Sequence, residues 1–290
     1  MTATPRVASA LVTGCSSGIG MAIARRLRQA GFSVWAGARR PETLQGLVAA
    51  GCHPLHIDMC DEQSQRAAVA AVERAHGQVD VLVNNAGFGQ HGALEETPLA
   101  AVRRQFEVNA FAPLGLCQLV LPGMRRAGVG RIVNISSMGG KLGFPGGGAY
   151  HGSKYALEAF SDALRWELAG FGIGVTVIEP GPTLSAFGEA ALGSLSHPDA
   201  SGSPYAALNA SIRAGLEATF RGAGLAGAST PEDVADALLQ ALRSDPAPAR
   251  VVVGDMARQL IALRRDSSDE VWDAMLDTMY RRPGSTEGVA

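Results

Sequence analysis

Short apolar runs recur along this chain, each closed by glycine, proline or a polar residue and followed by a stretch whose apolar positions fall three and four apart. Val7–Val12, Phe32–Ala36, Cys52–Ile57, Val79–Val83, Arg131–Ser136, Ile173–Ile178 and Arg250–Val253 read as strands, most of them apolar almost throughout, as expected where both faces of a sheet are covered. The stretches between them predict helices. One opens at Gly18 and Gly20 with apolar residues at Ile19, Ile23 and Leu27. Others span Pro41–Ala50, Asp61–His76 with Asp61 as N-cap, Pro98–Met124 interrupted by Pro113 and Gly115, Tyr150–Phe171, and Pro231–Arg243 capped by Thr230. Residues 255–280 predict one amphipathic helix, and the terminal RRPGSTEGVA a frayed tail. Strands alternating with helices at this spacing imply a parallel sheet with helices on both faces, whose ligands sit beyond the strand C-termini. The segment 184–227 breaks the alternation. It is low in charge, rich in Ala, Gly and Ser, and holds helix-like pieces at Phe187–Leu192 and Pro204–Phe220. Such an insertion beyond a strand end predicts a lid over a substrate.

Composition narrows the class. The chain has 290 residues, 47% of them hydrophobic, a net charge of -2 and a pI near 6.3. That is enough apolar material for one large α/β domain covering residues 1–290. Lys and Arg form no long run, which argues against nucleic acid or an anionic membrane as partner. No apolar run reaches the roughly 18 residues of a membrane span, and the start MTATPRVAS has no signal-peptide character. Cys15, Cys52, Cys60 and Cys117 form no CxxC pair and no metal spacing, so no metal is expected. Reduced thiols in a cytoplasmic protein are the expectation, with Cys15 a small buried thiol.

The first strand runs into Thr13-Gly14, and Gly18 and Gly20 then open a helix. Strand, glycine turn and helix place an anion at a helix N-terminus, and side chains there would hold a pyrophosphate away from the backbone. Cofactor choice falls at the end of the second strand, Gly37-Ala38-Arg39-Arg40, with no carboxylate before Glu42. Ala38 does not repel a ribose 2′-phosphate and Arg39 offers it a planar fork. NADP(H), with Arg39 as the main contact, is the expected cofactor.

Ser137 stands at the end of the fifth strand, and Tyr150 and Lys154 follow at i and i+4 on one predicted helix face. Reducing a carbonyl needs a proton donor at the nascent alkoxide, and oxidising an alcohol needs the same group as base. A free tyrosine has a pKa near 10, and bringing it to neutral pH takes about 4 kcal/mol. A lysine ammonium some 4 Å away supplies about that much at an effective dielectric near 20. Ser137 then donates a hydrogen bond to the substrate oxygen.

Thr13-Gly14-x-x-x-Gly18-x-Gly20, Asn84-Asn85-Ala86-Gly87 and Ser137 with Tyr150-x-x-x-Lys154 together resemble the short-chain dehydrogenase/reductase family over roughly residues 7–255. The segments TGCSSGIG and KLGFPGGGAYHGSKYALEAF look like its 17β-hydroxysteroid dehydrogenase-like branch, from which the three glycines before Tyr150 depart; they suggest a widened or loosened pocket. The resemblance implies a single Rossmann-type, doubly wound parallel sheet of about seven strands with a lid near 184–227 and a helical extension near 255–280. It implies a cofactor site from Gly14, Ser16, Ser17, Gly18, Ile19 and Gly20, with Asp58 on adenine. Asn85 and Gly87 line that site, Lys154 bonds the nicotinamide ribose beside Tyr150, and Pro180, Gly181, Thr183 and Ser185 frame the carboxamide. It also implies that Asn109 completes a proton relay through a water. The pocket is expected from Gln90, His91, Ser137, Met138, Gly139, Phe144, Tyr155 or its neighbours, and lid residues. A bulky apolar ketone or secondary alcohol is the expected substrate, steroid-, polyketide- or retinoid-like. Pairing of the helices at Pro98–Met124 and Tyr150–Phe171 into a homodimer or homotetramer is implied too. A non-redox isomerase or cyclase on the same fold, and a catalytically silent dinucleotide-binding regulator, are consistent with the same motifs.

Overall fold

A computed structural model describes residues 7–195, 202–221, 227–280 and 282. Among them, seven strands form one parallel sheet in the order β3-β2-β1-β4-β5-β6-β7: β1 Ser9–Thr13, β2 Ser33–Ala38, β3 His53–His56, β4 Val81–Asn84, β5 Gly130–Ile135, β6 Ile173–Pro180 and β7 Arg250–Val253. All seven expected strands are present, shifted by a few residues at their ends. The sheet is apolar on both faces because alternate residues serve opposite layers. Ala10 and Val12 pack with α1 (Gly18–Gln29) and α9 (Pro231–Arg243), through Ile23, Leu27, Val234 and Leu238. Leu11 points the other way, with Leu82 and Ile132, against α3 (Glu62–His76), α5 (Ala112–Ala127) and α6 (Gly148–Leu168). Asp61 caps α3 by accepting from the Gln63 amide, and Thr230 and Asp233 form a capping box on α9.

Three expected helices differ in detail. Pro41–Ala50 is a 3₁₀ turn, Pro41–Leu44, leading into a short α2, Gln45–Ala49. The long helix is not broken at Gly115. Helix α4 (Leu99–Phe106) passes through a π turn at Glu107–Phe111 directly into α5. Pro113 cannot donate the i→i−4 bond that the Asn109 carbonyl would receive, and the wider turn absorbs that loss without ending the helix. Residues 255–280 form two helices, α10 (Asp255–Asp266) and α11 (Asp269–Met279), because Ser268 leaves helical geometry and caps α11 by accepting from the Val271 amide.

The order reverses between β1 and β4, so chain leaves their C-termini in opposite directions and opens a crevice there. The insertion after β6 supplies α7 (Phe187–Gly193) and α8 (Ala206–Arg221). Both are tied to the loop after β4: Gln90 Nε2 donates to the Ser194 carbonyl at 2.6 Å, and Asn209 Nδ2 to Glu96 at 3.0 Å. Residues 196–201 and 222–226 of the insertion, residues 1–6 of the start expected to carry no signal, and nearly all of the expected tail lie outside the described residues. No helix among the described residues is long and apolar enough to cross a membrane.

Candidate active site

The crevice deepens into a cavity of about 1090 Å³ running from the glycine turn, past the ends of β4, β5 and β6, to the lid and α11. At one end the backbone is shaped for close approach. Gly14 and Gly18 have φ of 72° and 55°, where side chains are strained. A Cβ on Gly20 would lie 2.3 Å from the Gly14 carbonyl oxygen. No side chain caps α1 and no acidic residue occupies its first turn, so its first amides meet the cavity between Ser16, Ser17 and Ile19. These residues fit a pyrophosphate at a helix N-terminus. Arg39, exposed, and buried Ala38 line the neighbouring wall with Asp58. Asp58 also accepts from the Cys60 amide. Pro180, Gly181, Thr183 and Ser185 form the opposite wall, and Ser185 stands over Gly18, where an added Cβ would approach it to 3.1 Å.

Two asparagines turn their side-chain amides to the protein. Asn85 lines the cavity, but its Nδ2 donates to the Thr13 and Gly14 carbonyls at 2.9 and 3.2 Å, while Thr13 Oγ1 accepts from the Asn85 and Ala86 amides. Its amide holds the glycine turn in shape. Asn109 is buried behind the cavity wall in the π turn. Its Oδ1 accepts from the Phe88 amide at 3.2 Å, and its Nδ2 donates to the Phe88 carbonyl at 3.0 Å and to Ser153 Oγ at 3.2 Å. This side chain, expected beside a relay water, clamps the segment after β4 to α6. Gly87 sits against this clamp, 3.2 Å from Asn109 Oδ1 by an added Cβ.

Ser137, Tyr150 and Lys154 converge. Ser137 follows β5 and its Oγ accepts from the Gly139 amide at 3.0 Å. Its hydroxyl also bonds the Tyr150 phenol. Lys154, buried, donates from Nζ to the Ile135 carbonyl at 2.8 Å and lies 6.0 Å from the centre of the Tyr150 ring. Burial pulls the ammonium down to about 8, against the carboxylate of Glu158 one turn on. Burial pushes the phenol up to about 12, with the Ser137 hydrogen bond acting the other way. The protein groups alone therefore keep the Tyr150 phenol protonated at neutral pH.

Of the expected pocket residues, Gln90, His91, Ser137, Met138, Gly139 and Phe144 line the cavity. Tyr155 does not: one residue past Lys154 on α6 it turns outward and is 46% exposed. The expected lid residues are Phe187, Ile212 and Phe220, while His151 and Tyr280 were not foreseen by name. His151 packs its ring 5.6 Å from that of Tyr150, Phe187 of α7 also lies 5.6 Å from it, and Ile212, Phe220 and Tyr280 close the far end. The amphipathic periodicity of 204–220 and 255–280 was the signal for Ile212, Phe220 and Tyr280. The three glycines do not widen the pocket. An added Cβ would meet Ile212 at Gly146 (2.2 Å), His151 at Gly147 (2.5 Å) and Leu94 at Gly148 (2.7 Å). They let neighbours in rather than leaving space. Cys15 is buried, its Sγ 3.1 Å from the Val12 carbonyl, and burial pushes its thiol upward. No cluster of three metal-ligating side chains occurs among the described residues.

Comparison with known proteins agrees with this geometry. The model of the short chain dehydrogenase family matches residues 8–192. An uncharacterized oxidoreductase, YbbO, of Escherichia coli is 44% identical over 180 residues, 62% of this chain and 67% of that protein. A short-chain dehydrogenase structure from Streptomyces avermitilis superposes with a TM-score of 0.79 at 35% identity, covering 94% of this chain and 96% of the other. A metagenomic short-chain oxidoreductase solved with NADP gives 0.64 at 31% identity, covering 85% and 96%. Chains of this fold are found with NAD as well as NADP.

Proposed function

This chain belongs to the short chain dehydrogenase family, and on that premise we propose that it is an NADP(H)-dependent oxidoreductase interconverting a bulky, apolar ketone and its secondary alcohol. The observation that carries the reading is the meeting of Ser137, Tyr150 and Lys154 at one wall of a cavity whose other end is a glycine turn at a helix N-terminus. The nicotinamide, when bound, supplies or accepts the hydride. Tyr150 gives its phenolic proton to the substrate oxygen in reduction and takes it back in oxidation. Ser137, already on the phenol, orients and hydrogen-bonds that oxygen. Lys154 contributes positive charge beside the phenol, and its ammonium is positioned by the Ile135 carbonyl. Asn109 acts by holding the Phe88 segment and Ser153, whose hydroxyl donates to the Tyr150 carbonyl at 2.7 Å. The aromatic and aliphatic far wall favours an apolar substrate. Monitoring NADPH absorbance against a panel of ketones tests the reading; if no ketone consumes NADPH, it fails.

The fold does not choose between cofactors; the end of β2 does. Ala38 leaves room for a 2′-phosphate, the first acid is Glu42 in the following turn, and Arg39 has no ion-pair partner among the described residues. Arg39→Ala is expected to lower the NADPH-over-NADH ratio of kcat/KM by about tenfold, the value of one exposed charge-assisted contact. Ala38→Asp, which adds a carboxylate at the same place, is expected to favour NADH. A wild-type preference for NADH, or a ratio that Arg39→Ala leaves unchanged, contradicts this.

Pairing into a dimer or tetramer belongs to the same proposal. Leu99 and Phe111 on the long helix and Trp166 on α6 are large and more than half or about half exposed. A monomeric mass by light scattering counts against it.

A further inference from the structure

Beyond Tyr150 the cavity is walled by Phe144, Phe187, Ile212 and Phe220, but two imidazoles interrupt this apolar lining. His91 and His151 flank the phenol, their ring centres 6.1 and 5.6 Å from that of Tyr150. Their hydrogen-bond partners fix their tautomers. His151 Nδ1 lies 3.0 Å from the Gly139 carbonyl, which can only accept, so Nδ1 carries the proton. His91 Nδ1 lies 3.4 Å from Ser194 Oγ, and the single proton of that hydroxyl goes to the Ala191 carbonyl at 2.7 Å. Toward His91 the hydroxyl is therefore an acceptor, and Nδ1 is again the donor. Burial holds both rings below the ordinary histidine range, so both are neutral at pH 7. A neutral ring protonated on Nδ1 carries its lone pair on Nε2.

The rings are built in. An added Cβ would lie 2.7 Å from His91 Cε1 at Gly89, and 2.5 Å from His151 at both Gly139 and Gly147. Three glycines thus make way for two histidines. The only carboxylate lining the cavity among the described residues is Asp58, at the end of β3.

We propose that His91 and His151 form a pair of acceptors that selects a ketone bearing a hydroxyl close to its carbonyl on an otherwise apolar molecule. A hydroxyl gives the acceptor its proton without bringing a charge into an apolar chamber, which an ammonium would do at high desolvation cost. A carboxylate offers these lone pairs nothing. The proposal rests on the redox reading for the reacting carbonyl and on the imidazoles alone for the hydroxyl.

The test is titration calorimetry of the protein with NADP+, which cannot reduce a ketone, using two ketones of equal length that differ by one hydroxyl on the carbon beside the carbonyl. The hydroxyketone is expected to bind about tenfold tighter, the effect of one buried hydrogen bond. His151→Leu and His91→Leu are each expected to shrink that ratio to within about twofold. His151→Asn, whose amide can donate to Gly139 and accept from the ligand, is expected to restore part of it. Unchanged thermal midpoints show that the variants fold. Equal affinity for both ketones in the native chain, failure of both to bind, or a ratio that survives both leucine variants overturns the proposal. Repeating the pair with NADPH separates the two readings. Selective binding without turnover leaves the acceptors standing and defeats the redox reading. Turnover without selectivity does the reverse.

Discussion

Tyr150→Phe is expected to lower kcat for ketone reduction about a thousandfold, within the range for removing a positioned general acid and equal to about 4 kcal/mol of barrier. The phenyl ring stays because its neighbours stay. It packs among His91, His151 and Phe187 at 5.6–6.1 Å between ring centres, none of which depends on the hydroxyl. What is lost is the proton and the bond to Ser137. NADPH affinity should stay within about threefold of the native value, since the turn at Gly14 and the start of α1 are untouched. The pH dependence carries the same signature. The protein groups hold the phenol near 12 and the Lys154 ammonium near 8. Reduction needs the protonated phenol and falls as pH rises through its value in the complex; oxidation needs the phenolate and rises through the same value. Turnover by Tyr150→Phe within tenfold of native removes Tyr150 from the role of acid.

The second large effect is on stability. Arg250→Met is expected to cost about 3–5 kcal/mol, as removing one partner from a buried ion cluster does, and to lower Tm by about 5–10 °C at neutral pH. Arg250 Nε meets Glu158 Oε2 at 3.0 Å and Glu179 Oε1 at 3.2 Å, and its Nη2 meets Asp162 at 2.7 Å. The Glu158 and Glu179 side chains are 5% and 2% exposed. Methionine fills the volume but leaves two carboxylates facing each other away from water. Burial and the Glu158 charge already push the Glu179 carboxyl upward. A carboxyl raised in the folded chain holds its proton there more tightly than in the unfolded chain, so stability falls as pH rises above the ordinary carboxylate value. The deficit of Arg250→Met should thus shrink near pH 5 and grow toward pH 7. Equal Tm values for variant and native chain across that range contradict the argument. Glu158 also follows Lys154 by one turn, so the cluster sits directly behind the ammonium of the site.

Much of this was legible in the sequence where the signal is local. A buried parallel strand announces itself by its apolar run, and the seven expected strands are those of the sheet. Thr13–Gly20, Ser137 and Tyr150-x-x-x-Lys154 were legible because strand ends and helix spacing fix where such residues fall. The roles of polar side chains were less so. That Asn85 and Asn109 spend their amides on backbone groups follows from the close approach of β1, β4 and α6, which no local pattern encodes. The π turn at Glu107–Phe111 was half visible: Pro113 signalled a missing donor, but a break and a widened turn look alike in sequence. The three glycines at 146–148 misled for the same reason. A glycine marks a close approach without saying whether space or a neighbour lies beyond, and here Ile212, His151 and Leu94 lie there. His151 was masked by its place beside Tyr150. Successive helix residues point about 100° apart, and only the packing of Gly139 and Gly147 turns both rings into one cavity.

The central claim is that this cavity carries hydride transfer to a ketone, and isotope transfer tests it most directly. NADPH deuterated at both C4 positions is incubated with the enzyme and an apolar ketone, and the alcohol is analysed by mass spectrometry and NMR. The account predicts one deuterium per alcohol, on the carbinol carbon, with one NADPH consumed for each alcohol formed. A product that forms without deuterium on that carbon, or without consuming NADPH, contradicts it.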